Sequence, residues 1–202
     1  MRSYIDLSDI FQNRIEMDRY IIDKFILTEQ QLEVIKNHWH VKRFEKYGKS
    51  LTIGKEYVIL YDKSQSKTMM TNNEFEMITN QKFIDNAKGD VIIFGLGIGL
   101  IIYPLLQDDN IKSITIVEVD KDLIDETFPI LLKADTKSKL KVVNSDAFQY
   151  QDDKKYDTIY FDIWAIINEQ AFSEMKVLSN KFSSNLNQDG WIDSWCSEEE
   201  NY

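Results

Sequence analysis

From residue 90 onward, short apolar runs alternate with stretches whose apolar residues recur every three or four positions. The runs at 91–94, 114–118, 141–143 and 158–161 are short and rich in β-branched or aromatic residues, so they predict buried strands. A helix is expected directly after the glycines that follow 91–94. Residues 122–132 predict another helix, which Pro129 must kink or shorten. Phe172, Met175, Leu178, Phe182 and Leu186 step by three or four and predict a third, ended by Gly190, with a fifth strand over 191–195. Strands separated by crossover helices predict an α/β fold: a parallel sheet sandwiched by helices.

The first part of the chain reads differently. Leu7, Ile10, Phe11 and Ile15 fall at helical spacing, as do Ile21, Ile22, Phe25 and Ile26, so residues 1–46 predict helix. Thr28-Glu29-Gln30-Gln31 has the form of a capping box and opens a helix carrying Leu32, Ile35 and Trp39. Residues 50–72 alternate over short stretches around the turn residues Lys63-Ser64-Gln65-Ser66, which predicts a β-hairpin. Thr71-Asn72-Asn73-Glu74 can cap the next helix, with Phe75, Ile78 and Phe83 on it. The expected organisation is a helical segment over 1–50, a hairpin and helix over 51–88, and a parallel α/β core over 89–202.

Composition narrows the function. With 43% hydrophobic residues in 202, the chain can bury one substantial core. A formal net charge of −10 argues against a protein that grips a nucleic-acid backbone. The single cysteine, Cys196, allows no intrachain disulfide and suits a reducing compartment, so a cytoplasmic location is expected. His38 and His40 lie two apart and diverge on a helix, so no metal site is expected. The early charges leave no signal peptide, and the longest apolar run, of about ten residues near 98–106, is too short to span a bilayer.

Three of the seven glycines, Gly95, Gly97 and Gly99, fall just past the first core strand. In an open α/β sheet, ligands bind beyond the carboxyl ends of the strands, where the strand order reverses. Glycine there tolerates positive φ and lets backbone approach a ligand. The spacing is G-x-G-x-G, and Leu100 stands where the dinucleotide fingerprint needs its third glycine, which counts against a nicotinamide-dependent oxidoreductase. Glu118 ends the second strand, where a carboxylate can accept from both ribose hydroxyls. Asp146 and Ala147 follow the third strand, and Asp162 follows the fourth. Acids at consecutive strand tips repel pyrophosphate and suit a cation such as a sulfonium nucleoside. Asp120 and Asp122 are expected as helix-start acids and Asp157 as the start of a strand. Asp146 is open to a second reading, as the cap of a turn.

The segments "VIIFGLGIGL", "ITIVEVDKDLI", "VVNSDAFQY" and "YDTIYFDIW" together resemble the Rossmann-like S-adenosylmethionine-dependent methyltransferases, and among them the spermidine synthases, over roughly residues 50–196. The resemblance implies a transferase that binds S-adenosylmethionine or its decarboxylated form. It would move a methyl or aminopropyl group to an unidentified acceptor, with an amine among the candidates. It implies that Gly95, Gly97 and Gly99 line the methionine-like part and ribose, and that Glu118 holds the ribose diol. Asp146 would accept from the adenine amino group, the Ala147 amide would face the ring, and Asp162 would sit beside the sulfonium and act as the catalytic residue.

Two features depart from the spermidine synthases. Ile163-Trp164-Ala165 replaces their Ser- or Thr-bearing segment and Asp-Pro after the fourth strand, and the sheet's last two strands have no counterpart. The N-terminal helices or a partner subunit are expected to cover the open edge, so a homo-oligomer is one expectation. The alternative function is a catalytically degenerate protein that acts by protein interaction or cofactor sequestration.

Overall fold

The computed structural model describes residues 2–38 and 48–197, so Trp39 and His40 lie outside the described residues. The N-terminal segment departs from the helical expectation. After a 3-10 turn at Leu7–Asp9 the chain forms strands β1 (Ile15–Glu16) and β2 (Tyr20–Ile26). Helix α1 (Glu29–His38) does begin at the expected capping box. There, Thr28 N donates to Gln31 Oε1 at 2.8 Å and Gln31 N to Thr28 Oγ1 at 3.2 Å.

Strands β3 (Glu56–Asp62) and β4 (Lys67–Thr71) are the expected hairpin. β2 pairs antiparallel with β3 from Tyr20 opposite Asp62 to Ile26 opposite Glu56. The result is a small antiparallel sheet in the order β1-β2-β3-β4. It takes strands from both sides of residue 50, where the helical segment was expected to end. The spacing of Ile21, Ile22, Phe25 and Ile26 fits a helix face, but Tyr20 and Ile22 also alternate. Those two enter the core while Ile26 stays exposed. Pairing with β3 satisfies the backbone groups of both strands, and tertiary context overrides a weak local preference.

Helix α2 (Glu74–Asn86) starts at Asn73, whose side chain accepts from Glu76 N at 3.1 Å. Phe75 and Phe83 are buried as expected, whereas Ile78 faces outward. Then come β5 (Gly89–Phe94), α3 (Tyr103–Leu106), β6 (Ile111–Glu118), α4 (Lys121–Ala134) and β7 (Leu140–Asn144). β8 (Tyr156–Phe161), α5 (Glu169–Phe182) and β9 (Leu186–Ser194) complete the core. The five strands form one sheet in the order β7-β6-β5-β8-β9, and every pairing in it is parallel.

Three local expectations are corrected. The helix after the glycines is only α3, four residues long, because turns with Gly97 and Gly99 at positive φ precede it and Pro104 stands at its start. Of the two outcomes expected at Pro129, a kink or a shortening, the helix is not shortened: α4 runs on to Ala134. Helix α5 ends at Phe182, followed by a 3-10 turn at Ser183–Asn185, so Leu186 and Gly190 belong to β9.

Successive residues of β5 enter opposite cores. Val91 and Ile93 pack with Phe83, Ile84, Leu123 and Leu131, while Ile92 and Phe94 pack with Ile159, Phe161, Leu178 and Phe182. The sheet is therefore covered on both faces, α2 and α4 on one and α5 on the other, and its strands read as unbroken apolar runs. Phe83 stacks on Tyr160 with ring centroids 4.2 Å apart, and Phe94 on Phe161 at 4.8 Å.

Backbone bonding continues past the strand ends. Gly95 N donates to Val117 O at 2.9 Å, Asp162 N to Phe94 O at 2.8 Å and Ser145 N to Glu118 O at 2.9 Å. These bonds hold the loops at the carboxyl edge in register. No helix among the described residues is long and apolar enough to cross a membrane.

Candidate functional site

The loops at the carboxyl edge enclose a cleft of about 380 Å³. Its floor holds Gly95, Gly97, Glu118, Asp146, Ala147 and Asp162. Six of the seven residues singled out from the sequence thus share one cavity. Gly99 is outside its lining; a Cβ there would meet the Leu131 side chain, so Gly99 serves the packing of the turn on α4.

Gly95 and Gly97 are needed by the backbone itself. Their φ angles are +103° and +50°, a region that L side chains rarely adopt. The close approaches they permit are to the chain's own atoms. A Cβ on Gly95 would come within 2.2 Å of the Asp162 carbonyl oxygen, and one on Gly97 within 2.1 Å of Met70 Sδ. Gly95 therefore lets the tips of β5 and β8 meet, and Gly97 lets β4 of the small sheet dock on the turn. Met70 Sδ also accepts from Ile98 N at 3.4 Å.

Glu118 is 8% exposed, and both of its oxygens are held by backbone. Leu96 N donates to Oε2 at 2.9 Å and Asp120 N to Oε1 at 2.9 Å. Burial pushes this carboxyl above its usual range, against the pull of the amides of Asp120, Leu96 and Val119. Each oxygen keeps acceptor capacity for a hydroxyl. Asp120 itself caps α4 by accepting from Leu123 N at 3.0 Å, and Asp157 sits in β8 bonded to Asp90 N and to Asn187, as expected of both.

Asp146 is exposed at the rim and does cap its turn, accepting from Phe148 N at 2.7 Å. Ala147 is buried beside it, and its carbonyl accepts from Lys181 Nζ at 3.3 Å. Asp162 is half-buried. Burial alone pushes its carboxyl up to about 7. No hydrogen bond among the described residues offsets that cost.

The small sheet supplies wall residues that the sequence did not reveal. Arg19, Tyr20, Leu60 and Met70 close the cleft from above, Glu76 of α2 joins them, and Trp195 follows β9. Arg19 is fixed by Asp62, with Nη2 and Nε 2.7 and 2.8 Å from Asp62 Oδ2. The other Asp62 oxygen accepts from Ser64 N at 2.8 Å and Gln65 N at 3.1 Å. Burial raises the Asp62 carboxyl, but Arg19, Ser64 and Gln65 outweigh it and hold it at about 2. Among the described residues the mouth is thus acidic with one tethered cation, rather than uniformly acidic.

Five parallel strands with a glycine turn after the central one and acids at the neighbouring tips define a Rossmann-like fold of the S-adenosylmethionine-dependent methyltransferase type. The spermine/spermidine synthase domain model matches residues 71–195, well over half of the chain, and the chain belongs to that family. No curated protein matches the sequence.

Among solved structures, it is similar to a spermidine synthase from Thermotoga maritima at 18% identity and a TM-score of 0.54, covering 90% of this chain and 55% of that one. A spermidine synthase in complex with the transition-state analogue AdoDATO gives 18% identity and 0.52, with the same coverages. Both likenesses concern the fold. The chain spans about half the length of these structures.

Proposed function

We propose that this chain binds S-adenosylmethionine, or its decarboxylated form, and transfers a methyl or aminopropyl group to an acceptor. The observation that carries the reading is the convergence of Glu118, Asp146, Ala147 and Asp162 on one cleft beside Gly95 and Gly97. Family membership and the AdoDATO bound to one of the fold neighbours support it. The residues fit such a nucleoside: a rigid buried carboxylate for a diol, an apolar wall for a ring, and a second carboxylate for positive charge.

In this reading Glu118, already oriented by two backbone amides, accepts from both ribose hydroxyls. Asp146 accepts from the adenine amino group, and Ala147 faces the ring. Gly95 and Gly97 give the turn a backbone surface along the rest of the ligand. Arg19, immobilised by Asp62, closes the ribose side with Tyr20.

When bound, the sulfonium supplies an electrophilic carbon, where the acceptor's lone pair forms the new bond while the C–S electron pair leaves on sulfur. Asp162 takes the proton that the acceptor releases. A carboxyl lifted to about 7 accepts a proton far more readily at neutral pH than an ordinary aspartate. Orientation of the two reactants in the cleft does most of the rest.

Calorimetric titration with S-adenosylmethionine, methylthioadenosine and NAD tests the reading. The first two should bind, NAD should not, and Glu118→Ala should weaken binding at least about tenfold. Absence of nucleoside binding would overturn it. Binding without turnover over a panel of acceptors would favour the sequestering protein instead.

A further inference from the structure

The turn over residues 146–150 is bonded almost throughout. Asp146 Oδ1 accepts from Phe148 N at 2.7 Å. The Asp146 carbonyl accepts from Gln149 N at 3.0 Å and from Tyr150 N at 2.8 Å. Among the described residues, two groups of the turn keep no hydrogen-bond partner: the Ala147 N–H and the second Asp146 carboxylate oxygen. They are adjacent in the chain, one a donor and one an acceptor, and both residues line the cleft.

Helix α5 fastens the same turn. Lys181 Nζ donates to Phe148 O at 2.6 Å and to Ala147 O at 3.3 Å. Phe182, next along α5, packs in one apolar cluster with Ala147 and Tyr150, its ring stacked on Tyr150 with centroids 6.3 Å apart. Lys181 does not itself line the cleft.

The effect of that ammonium reaches the cleft through a rigid unit. A peptide is planar, so its C=O and N–H turn together. The peptide joining Ala147 and Phe148 is gripped at both ends, its carbonyl by Lys181 and its N–H by Asp146 Oδ1. The next peptide is held in the same way, its carbonyl by Lys181 and its N–H by the Asp146 carbonyl. Holding the carbonyls keeps the Phe148 N–H aimed at Oδ1, and that bond orients the carboxylate whose other oxygen is free. An adenine edge carries an amino donor beside a ring-nitrogen acceptor and matches an acceptor beside a donor. A 6-oxopurine reverses both groups, setting a carbonyl against the carboxylate and an N–H against an N–H.

We propose that Lys181 is a positioning residue for the base: by holding the Ala147 and Phe148 carbonyls, it fixes the donor and acceptor of the turn in the order that selects a 6-aminopurine nucleoside over a 6-oxopurine one. The inference rests on the nucleoside-binding reading above.

S-adenosylhomocysteine and S-inosylhomocysteine differ at that edge, and both are titrated calorimetrically into the full chain. The adenosyl compound should bind about tenfold or more tightly. Lys181→Met keeps an apolar stem of similar length and removes the donors, and it should narrow that ratio at least about threefold, mainly by weakening the adenosyl compound. Lys181→Arg keeps donors for both carbonyls and should hold the ratio within about twofold of the parent. Urea unfolding first establishes that each variant is folded. Should Lys181→Met not fold, Lys181→Gln takes its place, with one amide group for two carbonyls, and the same narrowing is required.

A ratio unchanged in the folded Met or Gln variant overturns the proposal. So does an equal loss of both ligands, which is what a merely structural lysine would give, and so does a narrowing as large in Lys181→Arg as in Lys181→Met. A parent that binds the two compounds alike, or the inosyl one more tightly, overturns the proposal and leaves the nucleoside reading standing. A parent that binds neither overturns that reading as well.

Discussion

Asp162 should make the folded protein less stable as pH rises, and replacing it should remove that loss. Its carboxyl moves from an ordinary 3.8 to about 7 because burial penalises the charged form. The native state thus holds a proton that the unfolded chain releases, so stability falls as pH climbs from about 4 to about 7 and levels off above. A shift of roughly three units at ~1.4 kcal/mol each sets a ceiling of about 4 kcal/mol. Asp162 is half-buried and lines the cleft, so water there lowers the expected cost to ~1–3 kcal/mol. Asp162→Asn keeps the shape and removes the charge.

Urea unfolding of both proteins at pH 4, 6 and 8 measures the difference. The variant should match the parent near pH 4 and exceed it by ~1–3 kcal/mol at pH 8. The same variant should lose transfer activity. An advantage equal at all three pH values, or a parent more stable at pH 8, would refute the reasoning.

Other substitutions probe the frame around the site. Arg19→Ala leaves Asp62, whose side chain is 0% exposed, with only its Ser64 and Gln65 contacts, and should cost ~1–3 kcal/mol at pH 7 in urea unfolding. Because Asp62 is held at about 2, its contribution is complete above pH 4 and fades as pH falls toward 2. The acid-side loss should be shallower in the variant. Gly97→Ala meets both a positive φ and the Met70 sulfur, so its melting temperature should drop by the equivalent of ~1–3 kcal/mol; a Met70→Ala background should recover only the contact part. Thr127 buries its hydroxyl in α4 without a hydrogen-bond partner among the described residues, so Thr127→Val should raise stability by about 1 kcal/mol in the same assay.

The parallel core was legible because its strands are buried on both faces and announce themselves as apolar runs. Glu118, Ala147 and Asp162 could be placed because a strand's end fixes where the next residues emerge. Asp146 was legible as a cleft residue and as a turn cap, and the structure gives it both positions. The small sheet was harder to read. Ile21, Ile22, Phe25 and Ile26 satisfy two periods at once, and only the pairing of β2 with β3 decides between them. Leu186 continued the rhythm of α5, yet the 3-10 turn at Ser183–Asn185 had already redirected the chain. Arg19 and Asp62 carry no local signal, since the pair is made between residues 43 apart in the chain. The glycines were read as room for a ligand, and the structure gives the room to Asp162, Met70 and Leu131.

The seat of Met70 on the glycine turn has a thermodynamic corollary. Because that sulfur fills the space above Gly97 and takes the Ile98 amide, the turn cannot hold its shape while the β3–β4 hairpin is peeled away. In the proposed reading, ligand occupancy and hairpin integrity are then linked functions. A nucleoside that grips the turn should slow deuterium uptake at hairpin amides it never touches, and a loosened hairpin should bleed affinity from a distance.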